Sequence, residues 1–201
     1  MIIYNLFSTP VYTSSLDRKL TKKEINFIQS QELKVRKNNG NFCSNDDEIL
    51  NNPEMANLKG FILTKVNEYF DNIICPLGQV EPYITLSWLN YTHKNEYHPQ
   101  HYHGNSIISG TLYVQSTDTD KIWFHNNKHS NISLTPKEYN QYNASSWWFP
   151  TPQNSIILFP SELVHSVEPV ETDTTRISLA FNVFCRGEWG MKESLNWIKL
   201  N

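Results

Sequence analysis

Two hydrophobic periods divide this chain. Between Leu20 and about Lys37, Ile25, Ile28 and Val35 recur at helical spacing behind a Thr21 and Glu24 pair that reads as a capping box. Glu32 interrupts that stripe and Phe27 lies off it. A second helix is expected after Asn52, an N-cap residue with Pro53 at the first helical position. There Met55, Leu58, Phe61, Ile62, Val66, Tyr69 and Phe70 recur at three- and four-residue steps. The polar stretch from Asn38 to Asp47 between the two predicts a surface loop.

After Pro76 the period shortens to two. Runs rich in Ile, Thr, Val, Tyr, Trp and Phe alternate with Pro, Asn and Asp turns, the pattern of antiparallel strands. The expected strands are Tyr83 to Tyr91, Ser106 to Gln115, Lys121 to Phe124, Ser155 to Phe159, Val164 to Pro169 and Arg176 to Cys185. In the last, Ile177, Leu179, Phe181 and Val183 share one face and Ser178, Ala180 and Asn182 the other. Helices first and strands afterwards predict a mainly β fold, a sandwich or jelly roll with helices packed outside one sheet. The long polar segment from His125 to Thr151 reads as a lid or an ordered excursion.

Composition narrows the picture by exclusion. The 201 residues suit one domain, helical over 1–75 and jelly roll over 76–201. A net charge of -3 with both signs interspersed gives no basic face for nucleic acid and no polybasic segment for lipid. No apolar run is long enough to cross a bilayer, and the first residues lack a signal-peptide pattern, so a cytoplasmic protein is expected, in a bacterial or phage-infected cell. The Asn-, Ile- and Lys-rich composition is associated with AT-rich sources such as phage. Cys43, Cys75 and Cys185 are far apart and odd in number, and read as reduced bystanders. Oligomeric state is open, a homodimer included.

The candidate chemistry lies in the histidines. On a strand, His101 and His103 point the same way, about 7 Å apart, while Tyr102 points away. Two imidazoles can therefore meet one ion, and His165, at a strand start after a Phe159-Pro160-Ser161 turn, is the natural third donor. His98 competes for the first position, but on a regular strand it would face away from His101, with Pro99 breaking the period between them. His93, His125 and His129 lie in turn-rich polar sequence and read as solvated. By strand parity Arg176 faces with Ser178 and Ala180. Pointed into a pocket it would be costly unpaired, and a carboxylate ligand is the obvious partner. The bland alternative is a surface ion pair with Glu168 or Glu171. Tyr113 could give its hydroxyl to the same carboxylate or simply be core. Such a site suits non-haem iron and an acidic co-substrate.

With these residues in place, the chain resembles the 2-oxoglutarate- and Fe(II)-dependent oxygenases, in particular a bacterial and phage branch. The resemblance rests on Trp88-Leu89-Asn90, His101-Tyr102-His103, Ser109-Gly110-Thr111-Leu112-Tyr113, Phe159-Pro160-Ser161 through His165-Ser166-Val167, and Arg176-Ile177-Ser178-Leu179-Ala180-Phe181-Asn182. These motifs run in order through about half the chain, and the opening Leu6-Phe7-Ser8-Thr9-Pro10-Val11-Tyr12 also looks like that branch's start. The resemblance implies a double-stranded β-helix in which His101, His103 and His165 hold Fe(II), with no catalytic residue beyond these ligands. It implies that 2-oxoglutarate chelates the metal and is held by Arg176, Tyr113 and Asn90. The reaction implied is hydroxylation of a substrate, small molecule or peptide, with release of succinate and CO2.

One departure matters. Most such enzymes carry a carboxylate two residues after the first histidine, where this chain has His103. A neutral ligand there raises the charge of the centre by one unit. Glu96 is a poorly spaced substitute. Two other readings stand beside the oxygenase: a cupin-like metal protein without redox chemistry, and a degenerate oxygenase fold kept as a structural or interaction module. Trp123-Phe124 and Trp147-Trp148-Phe149 read either as core or as the lining of a substrate groove.

Overall fold

The fold, seen in a computed structural model that describes residues 2–126 and 134–201, sets two antiparallel sheets on either side of a cavity. The strands are β1 (Tyr12–Ser15), β2 (Val35–Lys37), β3 (Phe42–Ser44), β4 (Val80–Thr92), β5 (His98–His101), β6 (Ile108–Gln115), β7 (Lys121–His125), β8 (Ser146–Pro150), β9 (Ser155–Pro160), β10 (His165–Val167), β11 (Arg176–Trp189) and β12 (Ile198–Leu200). The large sheet runs β1-β9-β6-β11-β4-β3-β2, with β12 on the far end of β11, and the small sheet runs β5-β10-β7-β8. This is a jelly-roll arrangement, mainly β as the strand periodicity requires.

β11 carries the division of labour. Its Ile177, Leu179, Phe181 and Val183 join Leu89 of β4, Leu112 of β6 and Leu158 of β9 in the main core. Two helices, α1 (Lys22–Glu32) and α2 (Ala56–Tyr69), close that core with Ile28, Leu58, Ile62 and Val66. Each fully buried aliphatic contributes roughly 1.5–3 kcal/mol. The alternate residues Ser178 and Ala180 turn to the cavity. Tyr91 adds a polar tie, its hydroxyl donating 2.6 Å to the Ile28 carbonyl of α1.

Several local expectations are corrected. α1 begins at its Thr21 cap, with both halves of the Thr21 and Glu24 capping box present, but ends at Glu32 rather than near Lys37. Val35 belongs to β2, because Val35–Lys37 pairs with Phe42–Ser44 around Gly40, and that ladder outweighs a stripe already broken at Glu32. The polar stretch from Asn38 to Asp47 is therefore not a surface loop. It holds β3, which pairs onto β4 through Phe42↔Tyr91 and Cys43↔Asn90, and it buries Asn41, Cys43 and Ser44. Three strands of the large sheet thus precede residue 76. Asn52 does not cap α2: its amide donates to Asp46, and Pro53–Met55 makes one 3-10 turn before the α-helix starts at Ala56. The excursion after β7 includes β8, paired residue for residue with β7. His129 lies outside the described residues.

Gly110 of β6 is a tight point of the large sheet. A Cβ there would run into the Phe181 ring and Leu158, so Gly110→Ala should destabilise the protein by about 1–3 kcal/mol. The check is a thermal melt, where that loss lowers Tm by roughly 2–4 °C per kcal/mol; an unchanged Tm would mean that the sheet gives way without strain.

Candidate metal centre

A single strand pairing assembles the site. β10 lies against β5 with His165 directly opposite His101, so their side chains leave one face of the small sheet together. His103 stands two residues past the end of β5, where its backbone N–H donates 2.9 Å to the Ser161 carbonyl. Candidate ligand atoms of the three histidines all lie within 4.8 Å of one another, and His103 Nε2 is 3.4 Å from His165 Nε2. Behind His103, the Ser161 hydroxyl bonds those of Ser106 and Ser109, and Ser109 donates to Asn182, a buried chain linking β9, β6 and β11.

Hydrogen bonding sets the tautomers. Nδ1 of His101 faces the Pro99 carbonyl at 2.9 Å, and Nδ1 of His165 faces the Leu163 carbonyl at 2.9 Å. A carbonyl only accepts, so both Nδ1 atoms carry the proton and both Nε2 atoms keep a lone pair. Burial keeps the rings neutral. His165 is pushed down to about 2 by burial and then by His101. His103 falls to about 4 by burial and His101, and burial lowers His101 too. His165 Nε2 can accept from a protonated His103 Nε2, and a cation placed among the three nitrogens would take their lone pairs instead. Two ligands at about 2.1 Å from a metal and at right angles stand about 3 Å apart, close to the His103 to His165 spacing. The donor set therefore fits a divalent transition metal. Among the described residues no carboxylate joins it. Glu96 accepts from the His93 backbone in its own turn.

The cavity beyond the imidazoles is polar at depth. Asn90 of β4, Ser178 of β11 and Tyr113 of β6 are register partners across the large sheet and line it together. Burial raises the Tyr113 phenol, so it stays protonated and can donate. Arg176, opposite Thr92, lines the same cavity. Its guanidinium already has a partner inside the protein, and that partner is neither Glu168 nor Glu171. Nη1 donates 3.0 Å to Asp120 Oδ1, both side chains no more than 5 % exposed. Asp120 Oδ2 in turn accepts from the Thr117 backbone and hydroxyl. No sequence signal separates this buried turn aspartate from its solvated neighbour Asp118.

His98 is also corrected. It does not face away from His101: its ring stacks on His101 at 4.1 Å and lines the cavity. The cause is a register shift, in which the three steps from His98 to His101 oppose only two from His165 to Val167. His125 is no solvated loop residue either. It ends β7, and its ring meets the Ser166 hydroxyl at 2.8 Å and the Gln100 amide at 3.3 Å, beside two of the imidazole carriers. His93 stays exposed, bonded to Thr175. Trp147 and Trp148 lie exposed on β8, while Phe124 and Phe149 pack with Phe159 in a smaller core whose Phe159 ring meets His165. None of these aromatics but Phe159 lines the cavity. Trp88, 5.7 Å from the His103 ring, does.

Residues 86–182, which hold all three histidines and Arg176, match the family model described as "Putative 2OG-Fe(II) oxygenase". Over that span, just under half of the chain, the sequence is similar to the 2-oxoglutarate- and Fe(II)-dependent oxygenases. No curated protein matches it in sequence. Solved structures share the fold of this chain at low identity. HygX from Streptomyces hygroscopicus, with nickel, 2-oxoglutarate and hygromycin B bound, aligns at TM-score 0.55 and 12% identity, over 87% of this chain and 82% of that one. A prolyl-4-hydroxylase from Pseudomonas putida aligns at 0.55 and 9%, over 87% and 93%. The epimerase SnoN of nogalamycin biosynthesis aligns at 0.62 and 8%, over 91% and 82%. Relatives this diverse establish the architecture and leave the substrate to the residues of the site.

The neutral imidazoles give a signed pH dependence. An unfolded histidine titrates near 6.5, whereas folded His165 stays neutral far below it. The stabilisation is therefore whole above about pH 6.5 and is lost as pH falls, because only the unfolded chain takes the proton. His165 alone should remove about 2 kcal/mol between pH 6.5 and 5. Urea melts of metal-free protein at both pH values, with His165→Gln as control, provide the check: the variant should fall less steeply, and equal slopes would contradict a neutral, buried His165.

Proposed function

We propose that the protein is a 2-oxoglutarate-dependent dioxygenase that uses Fe(II) to hydroxylate a small molecule or peptide, releasing succinate and CO2. The observation that carries this reading is one cavity in which three neutral, converging imidazole nitrogens share space with a buried guanidinium. His101, His103 and His165 would hold the metal. Bound Fe(II) supplies the redox chemistry that couples cleavage of the keto acid by dioxygen to oxidation of a C–H bond.

The chain's own groups bind and orient. Three neutral ligands leave the centre with the full dipositive charge, one unit more than a carboxylate-bearing triad, and a dianionic co-substrate offsets it. Arg176 would take the distal carboxylate through the donors that Asp120 leaves unused. Tyr113 adds a hydroxyl donor, and Asn90, whose buried Oδ1 has no partner in the protein, has an amide to turn toward the bound acid. Ile122, Phe159, Val167 and Ala180 line the remaining wall and keep water from the reacting centre. The Arg176–Asp120 ion pair favours a second reading, a metal protein without a co-substrate, because it gives the arginine a purpose inside the fold.

Anaerobic titration separates the two. Wild-type protein should develop a weak visible charge-transfer band only with Fe(II) and 2-oxoglutarate together. Arg176→Ala should need at least tenfold more 2-oxoglutarate, and His165→Ala should lose the metal. Tight zinc binding without any band would decide for the second reading.

A further inference from the structure

The hairpin of β2 and β3 reaches the cavity from outside the family-matched span. Asn41, just before β3, is 3 % exposed and lines the cavity with the imidazoles and Arg176. Its Nδ2 lies 3.2 Å from the Thr92 hydroxyl, while its Oδ1 is buried without a partner. Thr92 is the register partner of Arg176, so Asn41 stands at the arginine end. The hairpin is anchored there. Tyr97 N–H donates 3.1 Å to the Gly40 carbonyl, and Gly40 takes φ +91, with the Tyr97 carbonyl where a Cβ would go.

An unpaired amide atom at this depth is costly unless something in the cavity meets it. Thr92 can donate as well as accept. With the amide turned over, its hydroxyl serves Asn41 Oδ1 and the Nδ2 hydrogens face the cavity. A carboxylate offers about four acceptor sites and no donor. Arg176 cannot satisfy one alone, because its charge is already offset by Asp120 and Nη1 is engaged. Neutral donors must complete the set.

We propose that Asn41 donates its amide N–H to the distal carboxylate of 2-oxoglutarate, making the β2–β3 hairpin a wall of the co-substrate site. This rests on the oxygenase reading above. The experiment compares wild type, Asn41→Ala and Asn41→Asp by the Fe(II) chelate band, titrated with 2-oxoglutarate and separately with pyruvate, which lacks the distal carboxylate. Asn41→Ala should raise the 2-oxoglutarate concentration for half-saturation roughly tenfold, and Asn41→Asp further, by setting carboxylate against carboxylate. The pyruvate titration and iron retention should stay at wild-type values. Unchanged 2-oxoglutarate titrations, or equal losses with both acids, would overturn the assignment of Asn41. No band in wild type would instead remove the parent reading, so the two failures are distinguishable.

Discussion

The site depends on how β10 lies against β5. That contact is short, yet it sets His165 opposite His101 and shifts register by one residue before Val167 meets His98. Without the shift, His98 would leave the other face of the sheet. With it, the cavity gains a fourth imidazole stacked on the first. β10 is itself placed by β7, through His165↔Phe124 to Val167↔Ile122. His125 adds a side-chain clasp from β7 to β10 through Ser166 and, beyond it, to β5 through Gln100. A fold that mounts a candidate metal ligand on a three-residue strand needs such lateral support, since so short a ladder has little stability alone.

Polarity is segregated across one strand. β11 gives its large aliphatic and aromatic residues to the helices and returns serine, alanine and arginine to the cavity. A guanidinium so deep needs an anion, and Asp120 provides it. Removing one partner of such a pair leaves a buried charge, typically at a cost of about 3–5 kcal/mol. Substitutions at Arg176 or Asp120 therefore cost stability whatever else these residues do, and a melt alone reads only that cost.

Much of this was legible in the sequence because it is periodic. The face of β11, the Thr21 capping box and the stripe of α2 follow from spacing alone. His101, His103 and His165 stood out because three metal-binding side chains in motif order are hard to read as accident, and the structure does bring them together. What escaped depends on pairing between distant segments. β2 and β3 are three residues each, and the sequence of β3 is buried only because β4 offers an edge. The His98 inversion comes from a bulge, whose signal is a mismatch between two strands rather than anything within either. Asp120 and Asn41 are turn-type residues locally, and only tertiary position distinguishes them from solvated ones.

His103 belongs to no strand. It is tethered by one backbone bond to Ser161, whose hydroxyl continues into the Ser106, Ser109 and Asn182 chain across three strands. The third imidazole thus takes its position from the spacing of β6, β9 and β11 rather than from its own neighbours. Slackening in that polar seam would shift His103 away from His101 and His165 while the aliphatic core remained intact, so the convergence of the three nitrogens is only as exact as a few hydroxyl contacts.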